Sequence, residues 1–227
     1  MRPFRLLGLA IVAAFVAASA FSTAAMALPE ILPTSSSERT WTGKNDGTGK
    51  PELYLKGGAA GSQVVCETAS ATGTEEAGKP LGLFHIEFKK CSLGANVCTG
   101  LSDTAGSGTI LSLGTWHLVW DELTPELNTA ILFLPDEVHF TCGSTLIVVK
   151  SGGSLVCLDL EAMVSKASHL FHCDQNGGLP NDLHWWNGSG VEQTASLKCT
   201  ASELLTAECA ELALGEVTYG VAVSADL

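Results

Sequence analysis

Phe84-His85-Ile86-Glu87-Phe88 is the stretch on which the fold turns. Large apolar side chains alternate with polar ones through it, and a period of two places the apolar set on one face of a strand. The same alternation recurs three times. Trp116, Leu118 and Trp120 interleave with Thr115, His117 and Val119; Val138, Phe140 and Cys142 with Glu137, His139 and Thr141; and Val217, Tyr219, Val221 and Val223 with Thr218, Gly220 and Ala222. Further strands are expected at 53–55, 63–68, 109–113, 130–134, 145–150, 155–160, 168–173 and 183–186, most of them separated by glycine-rich breaks. Short strands in this number, without alternating helices, predict an all-β fold: an antiparallel β-sandwich or a closed barrel, stabilised by disulfides. Residues 200–214 are rich in Ala, Leu and Glu and open on Thr200-Ala201-Ser202-Glu203, which fits a capping box. A short helix there competes with a hairpin.

The start of the chain has a different character. Arg2 and Arg5 precede an apolar run from Leu6 to Phe21, and Ala25-Met26-Ala27 supplies a small-x-small cleavage site, so residues 1–27 read as an export signal and the mature chain is expected to begin at Leu28. Residues 28–40 mix proline with Thr34-Ser35-Ser36-Ser37 and read as a flexible leader, followed by one domain over 41–227. The formal charge of the whole chain is −12. Removing the signal takes two of the 12 basic residues and none of the 24 acidic ones, giving 10 − 24 = −14 for the mature chain, with Arg39 its only arginine. Such a surface repels phosphate backbones and lacks guanidinium forks, which argues against nucleic acid as a partner. No second apolar run is long enough for a membrane helix.

All eight cysteines follow the signal, and an even count in an exported chain reads as a disulfide framework. Cys91 and Cys98 flank a turn-rich loop and are the expected local pair, as are Cys199 and Cys209. Cys66 and Cys142 fall in phase with apolar residues on strands and suggest a long bridge, leaving Cys157 with Cys173. The succession Val64-Val65-Cys66, Phe88-Lys89-Lys90-Cys91, Cys98, then Phe140-Thr141-Cys142-Gly143 running into Thr145-Leu146-Ile147-Val148-Val149-Lys150, resembles a set of uncharacterised exported proteins present as many paralogues in high-GC Gram-positive bacteria. The resemblance spans about residues 60–190. It implies exported β structure and no particular chemistry. Cys157, Cys173, Cys199 and Cys209 are additions to that pattern, and Lys150 stands where an arginine commonly closes the valine-rich strand.

No motif announces catalysis, and no cofactor is expected. Residues 73–79 fit seven positions of a phosphate-binding loop, but Pro80 stands where the magnesium-binding hydroxyl belongs, so a surface turn is expected. Asn45-Asp46-Gly47-Thr48-Gly49 resembles half of a calcium loop without its later carboxylates and reads as a polar turn. His169 and His172 lie three apart, which on a strand means opposite faces, whereas His85, His117 and His139 share the polar phase and form a trio if their strands are neighbours. Asn187-Gly188-Ser189 is a glycosylation sequon or a hairpin turn. Beside it, His184-Trp185-Trp186-Asn187 offers a ligand platform, Trp185, Trp186 and Asn187, with one ring buried and the other exposed to stack on an extracellular glycan or a partner protein. The reading is a secreted binding or structural interaction module. The alternative is a secreted hydrolase whose site is assembled from dispersed carboxylates and histidines.

Overall fold

The computed structural model describes residues 29–55, 63–102, 106–120, 129–159, 164–174, 183–187, 191–201 and 209–226. The expected signal, residues 1–27, lies outside them. The described residues form strands and no helix. In chain order these are β1 (Glu30–Leu32), β2 (Arg39–Asn45), β3 (Glu52–Leu55), β4 (Gln63–Val65), β5 (Thr68–Glu75), β6 (Leu81–Lys89), β7 (Ser92–Leu93), β8 (Asn96–Gly100) and β9 (Thr109–Trp120). They continue with β10 (Thr129–Pro135), β11 (Val138–Cys142), β12 (Thr145–Val149), β13 (Leu155–Asp159), β14 (Lys166–Asp174), β15 (Leu183–Trp186), β16 (Glu192–Ala195), β17 (Cys199–Ala201) and β18 (Cys209–Asp226).

Every ladder is antiparallel, and the pairings close two rings. The first runs β2, β5, β6, β9, β10, β13, β14, β18 and back to β2. The second runs from the start of β18 through β3, β4, β7, β8, β11 and β12 to β17. It closes where Leu197, just before β17, bridges Cys209, whose amide donates to the Leu197 carbonyl at 3.2 Å. The chain passes between the rings at the β2–β3, β4–β5, β6–β7, β8–β9, β10–β11 and β12–β13 connections, again from β14 by way of β15 and β16 to β17, and once more along β18 itself. One apolar core is continuous through both, joining Trp41, Trp116 and Phe171 of the first ring to Val64, Phe140 and Ile147 of the second. Of the two expected architectures, the barrel is the one formed.

Glycine makes room for the aromatic filling. Trp41 lies over Gly73, where an added Cβ would stand 2.1 Å from Cζ2 of the indole. At Gly114 the same atom would stand 2.2 Å from the Leu134 carbonyl oxygen and 2.8 Å from the Phe84 ring. Trp41 and Trp116 meet edge to face at 6.5 Å, and Phe84 and Phe133 at 5.1 Å. At the edge of the first ring Arg39 forks onto the buried Glu75 at 3.0 and 2.5 Å and donates to the Pro33 carbonyl at 2.8 Å.

Four disulfides are present and none of the cysteines is free. Cys157–Cys173 and Cys199–Cys209 pair as expected. The other two differ: Cys66 joins Cys91 and Cys98 joins Cys142, in place of 91–98 and 66–142. The register explains the exchange. Extending the β4–β7, β7–β8 and β8–β11 ladders puts Cys66, Cys91, Cys98 and Cys142 abreast in one buried row. The Cys98 amide donates to the Cys91 carbonyl at 2.8 Å, so 91 and 98 form a hydrogen-bonded pair, the wider kind. The outer neighbours are the close, non-hydrogen-bonded pairs, with Cα separations of 3.9 and 4.0 Å, and they take the bonds.

Within the stretch expected as a leader, the described residues begin at 29: β1 pairs with the end of β18, Ile31 is buried, and the Ser35 carbonyl accepts from Gly78 N at 2.9 Å. Within 200–214, residues 200–201 and 209–214 are strand rather than helix, because both ends are held in ladders by β12, β3 and β14. Residues 202–208 lie outside the described structure.

Peptide mapping of the unreduced protein should recover 66–91 and 98–142 linkages and no alkylatable thiol; 91–98 linkage as the main species would contradict the register. With sequence separations of 25 and 44, removing either bridge should cost about 3 to 4 kcal/mol by the chain-entropy argument. Gly73→Ala should lower stability by about 1–3 kcal/mol or more through overpacking against Trp41, whereas Gly49→Ala, with open space around it, should leave the denaturation midpoint nearly unchanged.

Candidate functional site

The inner face of the first ring is filled unevenly. At one end Trp116, Leu118, His169 and Tyr219 are all buried. His169 Nε2 stands 2.9 Å from the Val223 carbonyl and 3.2 Å from that of Lys166, which assigns the proton to Nε2, and its ring meets Tyr219 edge to face. Further along, the inward positions of β2 and β5 carry Gly43, Ala69 and Ala71, with Asn45 beyond them at the end of β2. Their small side chains leave a cavity of about 90 Å³, walled by Trp41, Ala71, Ile86, Phe88, Phe133 and Phe171. A second cavity of about 80 Å³ opens in the other ring among Val64, Ile110, Val138 and Phe140. Pro51 and Phe88 wall both, so the two spaces adjoin across the Phe88 ring.

The polar atoms at this place are few. Trp116 Nε1 donates to the Thr74 carbonyl at 2.9 Å. Trp41, 5% exposed and against the first cavity, has an indole Nε1 that is buried and makes no hydrogen bond. A buried donor left unmade costs about 1–3 kcal/mol.

The sites named from the sequence fall elsewhere. Trp185 and Trp186 are both half-buried, not one buried and one exposed. Trp185 packs with Val119, Ala130, Leu132, Val156 and Ala195 in a separate apolar cluster on the outer side of β9, β10 and β13, while Trp186 pairs with Trp120 at the end of β9. Asn187 closes the β15–β16 hairpin, its Oδ1 accepting from Val191 N at 3.1 Å. Asp46 accepts from Thr48 N at 2.8 Å, and these Thr48 hydrogen bonds hold its carboxyl below the usual range, which makes it a turn rather than a calcium ligand. In the phosphate-loop match, Gly73 is covered by Trp41 and Lys79 pairs with Glu76 at 2.6 Å.

The histidine trio divides. His85 and His139 line one surface groove of about 500 Å³ with Asp136, Glu137, Leu101 and Leu113. His139 Nε2 lies 2.6 Å from Glu137 Oε1, and that hydrogen bond holds the Glu137 carboxyl below its usual range. Both side chains stand in solvent, where such a pair contributes little. His117 lies away from them, four residues along β9 from Leu113, the cross-strand partner of His85, or about 13 Å. His169 is buried inside the ring and His172 is only half-buried, on opposite faces of β14. Among the described residues no three His, Cys, Asp or Glu side chains are grouped to hold a metal ion. Comparison with protein-family models, with curated proteins and with solved structures returns no match.

The interior cavity was not legible in the sequence. Its one signal was the small, alternating Ala69, Ala71 and Gly73 of β5, which carry no hydrophobic weight.

Burial pushes the His117 imidazole below its ordinary value, with Glu76 pulling partly the other way. The unfolded chain therefore takes up a proton near pH 6.5 that the folded chain refuses. Stability is full above that pH and falls as the pH drops below it towards the folded value. His117→Asn should flatten this acid-side decline in thermal melts between about pH 6.5 and 5, and an unchanged slope would remove burial of His117 as its source.

Proposed function

We propose that this chain is an exported binding module that takes a small apolar ligand inside its barrel. The observation that carries the reading is the pair of adjoining cavities sharing Phe88, walled mainly by apolar side chains inside closed antiparallel rings. Closed barrels of about eight strands either fill with side chains or hold one small ligand, and here the small residues of β2 and β5 leave the filling incomplete. An engineered dry cavity of about 150 Å³ binds benzene, so the two spaces together match a ligand of that order.

Export is supported by the sequence of residues 1–27 and by four disulfides, which persist in oxidising compartments. The outward phase of β2 and β5 carries Thr40, Thr42, Lys44, Ser70 and Thr72, all exposed. The hydrolase alternative rests on the groove of His85, His139, Asp136 and Glu137, and the exposure of the His139–Glu137 pair weighs against it. A glycan on Trp185 or Trp186 is disfavoured because both rings are half covered.

Toluene titrated into isotope-labelled protein should shift the amide resonances of Ala71, Ile86 and Phe88 and the methyl resonances of Ala71 and Ile86, and raise the melting temperature. Ala71→Leu, which fills the space, should abolish those shifts while melting at or above wild type, as cavity-filling changes commonly do. Toluene shifts confined to the groove around His139 would overturn the reading.

A further inference from the structure

Resting on that reading, we infer that the ligand of the barrel interior is an apolar molecule carrying one hydrogen-bond acceptor, a carbonyl or ether oxygen, which receives the indole N–H of Trp41. Two tryptophans meet in the first ring, and they differ in one respect. Trp116 donates its N–H to the Thr74 carbonyl, within the fold. Trp41 is 5% exposed, lines the 90 Å³ cavity, and its N–H donates to nothing. Native interiors leave few such donors, and each calls for an explanation.

The fold explains the position of the ring but not its unmet donor. Gly73 is the residue that admits the indole: an added Cβ would stand 2.1 and 2.2 Å from Cζ2 and Cε2, the latter bonded to Nε1. The chain thus gives up a side chain on β5 to hold this edge of the indole in place. A phenylalanine would place an aromatic ring there without a donor to satisfy. The polar side chains that also line the cavity are engaged elsewhere or stand at its solvent side: Asn45 Oδ1 accepts from Ala69 N at 3.0 Å, Lys44 pairs with Glu216 at 3.1 Å, and Ser70 is exposed. None of them accepts from Trp41 Nε1, so the cavity is mainly apolar with one buried donor unmet, the pattern of small-ligand pockets in which a few polar groups fix orientation. An ionised ligand is disfavoured, since the two charged residues of the lining already pair with each other and an unpaired buried charge is expensive. A neutral ketone, ester or ether of six to ten heavy atoms is the class that fits.

The test compares cyclohexanone with methylenecyclohexane, which differ in little beyond replacing C=O by C=CH₂, on wild type and Trp41→Phe. Trp41→Phe should weaken cyclohexanone by about 2- to 10-fold, the effect of one neutral hydrogen bond, and leave methylenecyclohexane within about twofold. The Trp41 indole N–H resonance of the wild type should move downfield with cyclohexanone and not with methylenecyclohexane, a readout that survives if the variant fails to fold. Equal weakening of both probes, or an indole resonance indifferent to the ketone, would overturn the assignment of the acceptor while toluene binding kept the cavity reading intact. If none of the three compounds shifts the cavity resonances, the interior is not a ligand site and this inference falls with it.

Discussion

β18 is the strand on which both rings close. Its first residues pair with β3 and complete the second ring, its middle pairs with β2, and β14 runs along most of its length. A sheet that closes has no edge, so each strand of the first ring finds partners for its backbone groups on both sides. That satisfaction is collective. If β18 slipped by one residue, its inward Val217 and Tyr219 would turn outward and both closures would lose their register at once. The Cys199–Cys209 bridge fixes the register at the point where β18 begins.

Closure sets the next constraint, which is volume. The inner faces must be filled by side chains of a narrow range of sizes, and here large aromatics meet glycines: Trp41 over Gly73, Phe84 over Gly114. Where the inward positions are alanine or glycine without a large partner, the space stays open. The cavities are thus products of the same closure, in the region between the tryptophan-filled end and the cystine row. Their mainly apolar walls follow from which residues were left to line them.

Strands with large alternating side chains were readable from the chain, and the structure places strands at 84–88, 116–120, 138–142 and 217–223. The strand β5 was not, because Ala69, Ala71 and Gly73 supply the inward phase without hydrophobic contrast; the Trp41 ring provides that contrast from a neighbouring strand. β1 was hidden by its prolines and serines and depends on β18, two hundred residues away, for its pairing. The candidate cavity lies on contacts between β2, β5, β6, β10 and β14, none of which period-two patterning can order. His85 and His139 were readable as surface histidines, but only strand order separates them from His117.

The row of four half-cystines also bears on how the oxidised state is reached. Cys91 and Cys98 are seven residues apart in a short hairpin, the shortest loop in the row and therefore the quickest to close. A bond formed there first leaves Cys66 and Cys142 as free thiols at the two ends of the row, each next to one of the bonded sulfurs. Attack by either end thiolate on its neighbour releases the other central thiol beside the remaining end cysteine, and one oxidation then completes the native pairs. Isomerisation needs exchange only between adjacent cysteines of the row. The row acts as a track along which an early, local mistake corrects itself.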